Sequence, residues 1–274
     1  MKMLISFCVI VQILCLSLPA GAIISSNTRL LQKPEWDGAV VSGHWLNGEI
    51  RYQKAELDDE DVNFITIGPT FATSLPNVDR LELGGRLWLM RADYDNFESE
   101  SGLGDMDLWA KYQLYNQNNL TISGGLLLTF PSGSDGIVHK NASGELNMEV
   151  FGAARFNLSD IIAVIGHIGI RNNGDMEVDL ENESNGNNVH GELDGESQIE
   201  IGGGVIYQLQ PNLCILGELN IASEAYDDSE NDIEFTGGVE YILGPSMAVK
   251  GGMGFGLDDG APDFELIGSC VYTF

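Results

Sequence analysis

The feature that most constrains the fold of this chain is an alternation of apolar with polar or small residues, repeated in segments of about ten to fourteen residues. In 145–156, Glu145 and Glu149 fall on one face of an extended strand, whereas Leu146 and Val150 fall on the other. The same pattern recurs in 105–115, 198–209, 213–222, 232–243, 247–257 and 263–274. Strands with one polar and one apolar face are typical of transmembrane β-barrels. A soluble antiparallel barrel or sandwich is the alternative that alternation alone leaves open.

The connections between these segments alternate in length, which is a second, independent signal. Tight connections lie near 75–77, 116–118, 157–160, 210–212 and 244–246, and the others, mostly longer and acidic, are 57–61, 92–104, 131–143, 172–195, 224–231 and 258–262. These eleven connections join twelve strands. The prediction is therefore an all-β, transmembrane antiparallel up-and-down β-barrel of about 12 strands, with the short turns and both termini in the periplasm.

Aromatic residues support this orientation. An outward aromatic residue precedes the end of each strand that descends toward the periplasm, namely Phe71, Tyr112, Phe156, Tyr207, Tyr241 and Tyr272. Side chains of this kind in matching phase predict an aromatic girdle at the membrane interface.

The N-terminus has the pattern of an export signal. Lys2 precedes an apolar run from Met3 to Leu18, and small residues at 20–22 follow. This pattern predicts a signal peptide over 1–22, cleaved after Ala22. Residues 23–42 are then predicted to be a periplasmic lead-in and 43–274 the barrel. The predicted location is the cell outer membrane.

Charge and cysteine content restrict the partners. The formal net charge of −28 becomes −29 once Lys2 is removed, which argues against nucleic acid or anionic phospholipid as a partner. Of the four cysteines only Cys214 and Cys270 lie beyond the signal peptide, without the spacing of a metal site. We expect no cofactor and no metal, and outer-membrane lipid and a small-molecule substrate as partners.

The alternation also assigns charged residues to the barrel interior. The predicted lumen-lining residues are Arg80, Glu82, Arg86, Asp105, Asp107, Lys111, Glu149, Arg155, His167, Arg171, Glu200, Glu218, Glu240 and Lys250. Unpaired charge in a narrow barrel is costly, so a network of ion pairs is expected. Two interpretations remain open, a charged selective conduit and a polar filling that makes the barrel rigid. The lumen-facing glycines 202, 204, 252, 254 and 256 favour an open interior, because they leave room.

Enzymatic and metal-binding chemistry receive little support. His167 is a single lumen-facing histidine, and a hydrolase would need a serine and an orienting acid or amide beside it. No catalytic residue is therefore predicted. The loop from Glu181 to Glu192 nearly matches the spacing of a calcium-binding loop but lacks flanking helices. We interpret it as a solvated acidic loop.

Four stretches carry a resemblance to a known family. They are Asp79 to Gly84, Gly102 to Tyr112, Leu128 to Gly133 and Gly254 to Phe264. With these stretches the chain resembles the outer-membrane transporter family named for the MetA pathway of phenol degradation. The resemblance implies an outer-membrane barrel that moves hydrophobic or aromatic compounds. The chain departs from the family in its acidic loops, above all in 172–195.

The predicted function is a channel or transporter for small molecules, aromatic or hydrophobic ones included. One alternative is a surface binding or adhesion barrel that acts through its acidic extracellular loops. A second alternative is an outer-membrane hydrolase. The oligomeric state is left open.

Overall fold

The fold is described from a computed structural model, which covers 24–57, 60–75, 78–134, 137–139, 141–181, 188–227 and 229–274. The predicted signal peptide lies outside the described residues, as does the centre of the loop with calcium-like spacing.

The described residues form sixteen strand segments and one short 3₁₀ turn, Pro34–Trp36. The strands are β1 His44–Leu57, β2 Glu60–Leu75, β3 Val78–Arg86, β4 Leu89–Tyr94, β5 Glu100–Leu103, β6 Met106–Gln117, β7 Leu120–Phe130, β8 Asn147–Ser159, β9 Ile162–Asn172, β10 Met176–Glu181, β11 Asn188–Leu193, β12 Ser197–Gln210, β13 Leu213–Ala222, β14 Asp232–Gly244, β15 Met247–Gly256 and β16 Phe264–Thr273. Among these residues no helix is long and apolar enough to cross a membrane.

Fourteen of the segments form one antiparallel sheet, which closes because β1 pairs with both β2 and β16. β3 and β4 are two parts of one wall strand interrupted at 87–88, and β5 and β6 are likewise interrupted at 104–105. Counted in this way the wall has twelve strands, which confirms the predicted fold class. β10 and β11 form a separate hairpin within the connection between β9 and β12.

The short turns lie at one end of the barrel, as the sequence pattern predicts. The turn between β6 and β7 shows the local reason, because Asn118 and Asn119 adopt positive φ angles of 50° and 68°. Asparagine tolerates this left-handed region better than most residues, and the two-residue turn that results matches the right-handed twist of the strands.

The outer surface of the wall is apolar. Ile50, Val150 and Ile170 are 53%, 58% and 56% exposed, respectively. Leaving a large aliphatic side chain in water forgoes roughly 1.5–3 kcal/mol, so a surface of this kind belongs in hydrocarbon. Of the predicted girdle residues Tyr207 is half-buried, and the exposed ones are Phe71, Tyr112, Phe156, Tyr241 and Tyr272.

Residues 24–42 lie inside the barrel, and we call this segment the plug. The prediction of a periplasmic lead-in is corrected here. Leu30, Leu31, Trp36 and Val41 are each at most 4% exposed, and they form two apolar clusters with inward side chains of the wall. A segment with so many large apolar side chains gains more from burial in the lumen than from solvation in the periplasm.

The lumen-facing glycines do not leave an open interior, because the plug fills the space beside several of them. A Cβ added at Gly204 would lie 3.0 Å from Leu30 Cδ1, and one added at Gly252 would lie 2.5 Å from Leu31 Cδ1. Gly254 faces the side chains of Glu234 and Glu265. These glycines therefore permit close approach of the plug and of polar side chains.

This close approach can be tested with two adjacent glycines of β15. Gly252→Ala should lower the free energy of unfolding by about 1–3 kcal/mol, because the added carbon would lie 2.5 Å from Leu31 Cδ1 and 2.9 Å from the Gly237 carbonyl oxygen. Gly251→Ala is the matched control, since its added carbon would meet only Ile267 O, at 3.9 Å. Urea unfolding of both variants in detergent micelles measures the difference. Equal effects of the two substitutions would contradict the packing of Leu31 on β15.

Candidate functional site: the plug and the cavity above it

Acidic side chains of the wall bind backbone amides of the plug. Glu218 on β13 accepts hydrogen bonds from the amides of Leu31 and Gln32, the latter at 3.2 Å. Glu82 on β3 accepts one from the Val41 amide at 2.8 Å. The plug has no strand partner for its amides here, so these carboxylates satisfy groups that would otherwise be buried without hydrogen bonds.

Glu82 is also the centre of a buried charge cluster. Its carboxylate lies 2.9 Å from Arg29 of the plug and 3.1 Å from Lys111 of β6. It accepts a further hydrogen bond from Trp109 Nε1 at 3.2 Å. The side chains of Glu82 and Lys111 are 0% exposed, and that of Arg29 is 1% exposed. Burial of a carboxylate away from water is costly, and here the two cations and the hydrogen-bond donors around Glu82 offset that cost.

Basic side chains of the wall hold carbonyl groups of the plug. Lys111 Nζ donates to the carbonyls of Glu35, Asp37 and Ala39 at 3.1, 3.0 and 2.9 Å. Arg155 on β8 also pairs with the Asp37 carboxylate at 2.8 Å. Because donors and acceptors come from opposite sides of the wall, the plug is held across the whole width of the lumen.

A further contact of Arg155 and two more wall residues complete the attachment of the plug. Arg155 donates to the Thr28 carbonyl at 3.1 Å, and Lys250 on β15 donates to the Arg29 carbonyl at 2.6 Å. Glu240 on β14 accepts a hydrogen bond from the Thr28 hydroxyl at 2.7 Å and lies 3.4 Å from Lys250.

Most of the predicted lumen-lining residues thus belong to two overlapping groups, one in contact with the plug and one around a cavity above it. The residues in contact with the plug are Glu82, Arg86, Lys111, Arg155, His167, Glu200, Glu218, Glu240 and Lys250. The residues around the cavity above the plug include Arg86, Asp107, Glu149, His167, Arg171 and Glu200.

Two predicted residues lie elsewhere. Arg80 is exposed beside a short turn, where the register between β2 and β3 shifts between Ser74 and Leu75, so it is not part of the buried network. Asp105 is buried, but it accepts hydrogen bonds from Gly133 N at 2.8 Å and from Ser143 Oγ at 3.1 Å. Asp105 therefore anchors the loop between β7 and β8. In both cases strand alternation fails because the residue lies where regular pairing ends.

Sequence reasoning missed the charged residues of the plug. Arg29, Glu35 and Asp37 are each at most 3% exposed and pair with wall charges. The signal that could have found them is the mixture of charged and large apolar residues in a segment assigned to the periplasm. Arg51 of β1 was also missed, although it faces inward and lies 3.1 Å from Glu265.

A cavity of about 130 Å³ lies on the long-loop side of the plug. Lys33 and Glu35 of the plug form its floor, and Glu149, His167 and Arg171 lie on the neighbouring wall strands β8 and β9. We call it the outer cavity. Tyr226 also lines it, and burial raises the pKa of this phenol above its ordinary value.

Aromatic rings contact side chains that line the outer cavity. Trp36 of the plug lies edge-on to His167, with ring centroids 4.6 Å apart, and Lys33 Nζ lies 4.2 Å from the centre of the Trp36 ring. Arg86 lies over Trp88 at 4.8 Å. Cation–π contacts of this kind are strong away from bulk water, so they fix these side chains in place. Within the described part of the chain no three His, Cys, Asp or Glu side chains are grouped to hold a metal ion.

Several solved structures have the same fold. A COG4313 outer membrane channel from Pseudomonas putida F1 superposes with a TM-score of 0.70 at 14% identity, over 88% of this chain and 98% of that one. The NanC porin gives a TM-score of 0.55 at 8% identity, over 85% and 100% of the two chains. The CymD monoaromatic hydrocarbon channel gives 0.52 at 12% identity, over 85% and 89%.

At the level of sequence, no protein-family model matches the chain and no curated protein matches it. The structural likenesses show that the chain has the fold of an outer-membrane β-barrel, which confirms that part of the prediction. Identities this low establish the fold alone.

Proposed function

We propose that this chain is an outer-membrane channel for small molecules that is closed at rest by its own plug. The observation that carries this proposal is the chemistry of the contact between plug and wall. The plug adds no strand to the wall, and side-chain hydrogen bonds and ion pairs hold much of it in place. Contacts of this kind break and re-form one by one, whereas the twelve-stranded wall is continuous and stays closed.

The apolar outer surface fits outer-membrane lipid as the partner of the wall. For the solute, the resemblance to the MetA-pathway family supports small aromatic or hydrophobic compounds, and the likeness to a monoaromatic hydrocarbon channel agrees with it. We propose no catalytic role. In its support, His167 Nδ1 has no hydrogen-bond partner among the described residues, so no nucleophilic hydroxyl group is bound to that nitrogen.

Liposome swelling tests the channel directly. Protein that lacks residues 24–41 of the plug should, in liposomes, admit small neutral and charged solutes faster than the full barrel does, and the rate should fall as solute size rises. A folded truncated protein that leaves the swelling rate at the protein-free level for every solute would contradict the proposal. The adhesion alternative predicts that outcome, because a binding barrel needs no conducting path.

A further inference from the structure

The outer cavity contains an unusual set of polar atoms. Glu35 Oε2, Glu149 Oε1 and His167 Nδ1 are buried and have no hydrogen-bond partner among the described residues, and the same holds for Arg171 Nε. The side chains of Glu35 and Glu149 are only 2–3% exposed. Thr66 Oγ1, Trp88 Nε1 and Asn220 Oδ1 at the same cavity also lack partners. Buried polar atoms are nearly always hydrogen-bonded, so seven such atoms around one cavity indicate that a ligand or solvent supplies the bonds.

Glu149 and Arg171 have opposite charges and lie close together without pairing. Glu149 and Arg171 are direct cross-strand neighbours on β8 and β9, and both line the cavity. Across the described residues no ion pair joins them, although Arg86 nearby pairs with Asp107 at 2.8 Å and with Glu35 at 3.4 Å. Two opposite charges left apart at one wall can each bind the complementary group of a ligand that lies between them.

We propose that the outer cavity binds a small zwitterion, a molecule with one ammonium and one carboxylate group. The carboxylates of Glu149 and Glu35 accept hydrogen bonds from the ammonium group. The Arg171 guanidinium donates to the ligand carboxylate, since planar guanidinium and carboxylate groups match in geometry. The cavity of about 130 Å³ is close in size to the ~150 Å³ that accommodates a benzene ring, so the ligand is of the size of a small amino acid.

This inference rests on the proposed function. A solute bound in the outer cavity has entered the lumen from the long-loop side and is stopped there by the plug. Binding and conduction are nevertheless separate measurements. Binding to the detergent-solubilised barrel needs no movement of the plug. Saturable binding by the full barrel, with bilayers that stay silent for the barrel lacking the plug, would contradict the channel and leave the site standing. Conduction without saturable binding would remove the site alone.

The test is calorimetric titration of the folded barrel with three matched probes. L-alanine carries both charges, propionate lacks the ammonium group and ethylamine lacks the carboxylate. L-alanine should bind saturably below about 10 mM, and each single-charge probe should bind about tenfold more weakly or worse, because each lacks one set of charged hydrogen bonds. Absence of saturable L-alanine binding, or equal binding of the three probes, would overturn the proposal.

Two variants test which side chain binds the ammonium group of the ligand and which binds its carboxylate. Glu149→Gln and Arg171→Gln should each weaken L-alanine binding about tenfold, with loss of the preference over ethylamine in the arginine variant and over propionate in the glutamate variant. Asp93→Asn and Arg91→Gln are the matched controls. They remove the same charges from an exposed ion pair that lies outside the cavity. Heat-modifiable migration on gels checks that each variant is folded. Unchanged binding in folded Glu149→Gln protein would refute the assigned site.

Discussion

A barrel that lacks residues 24–41 is expected to conduct ions at least about tenfold better than the full barrel in planar bilayers. The plug places Leu30, Leu31 and Trp36 in the lumen, each at most 4% exposed, and wall side chains from opposite sides reach its backbone. Without the plug these positions hold water, and the charged lining then surrounds a hydrated path. The truncation keeps Ser42 and Gly43, which lead into β1.

The truncated barrel must be shown to fold, since Glu82, Glu218 and Lys111 lose partners with the plug. Heat-modifiable migration and circular dichroism serve this purpose. Arg155→Gln offers a second route that keeps the plug, because it removes hydrogen bonds to Thr28 O and Ser25 O and the ion pair with Asp37. This variant should show brief openings that Arg91→Gln does not show. Truncated protein that is folded yet conducts no better than the full barrel would rule out the plug as the closure.

Glu82→Gln should lower the free energy of unfolding by about 3–5 kcal/mol, because it leaves buried positive charge without its counter-charge. Arg29 and Lys111 both pair with this carboxylate, and all three side chains are at most 1% exposed. The amide of glutamine also presents donors toward two cations and toward Trp109 Nε1, which needs an acceptor. Urea unfolding in micelles measures the loss.

Asp93→Asn is the matched control for this prediction. Asp93 lies 2.6 Å from Arg91, but the two side chains are 38% and 53% exposed. Exposed ion pairs contribute only about 0–1 kcal/mol, so this substitution should change stability little. If Glu82→Gln costs no more than Asp93→Asn, the buried cluster does not stabilise the folded state as described.

The wall could be predicted from the sequence because its information is local. In a strand, neighbouring residues face opposite sides. The polar Glu149 therefore indicates the lumen side and the apolar Val150 the lipid side, whichever strands lie next to them. In β1 the alternation is less clear, because Glu49, Arg51 and Lys54 do not all fall on one face of a strand. Glu49 and Arg51 are in fact buried inside, whereas Lys54 is 42% exposed and pairs with Asp61 near the long-loop end.

The plug could not be predicted in the same way. Its contacts run from Arg29 to Glu82 and from Leu31 to Glu218, far apart in sequence, and no periodic pattern records them. The lumen-facing glycines favoured an open interior in the sequence, and the physical reason for this wrong prediction is simple. A glycine beside empty space and one beside a packed leucine, such as Gly252 beside Leu31, are identical in sequence.

The measurement that tests the central claim most directly is a bilayer recording from one truncated channel before and after addition of a peptide of residues 24–42. If the plug closes the lumen through the contacts described, the peptide should return the conductance to the level of the full barrel when added at the short-turn side, and a scrambled peptide should not. A current that neither peptide changes, in a channel that was open before their addition, would contradict closure by this segment.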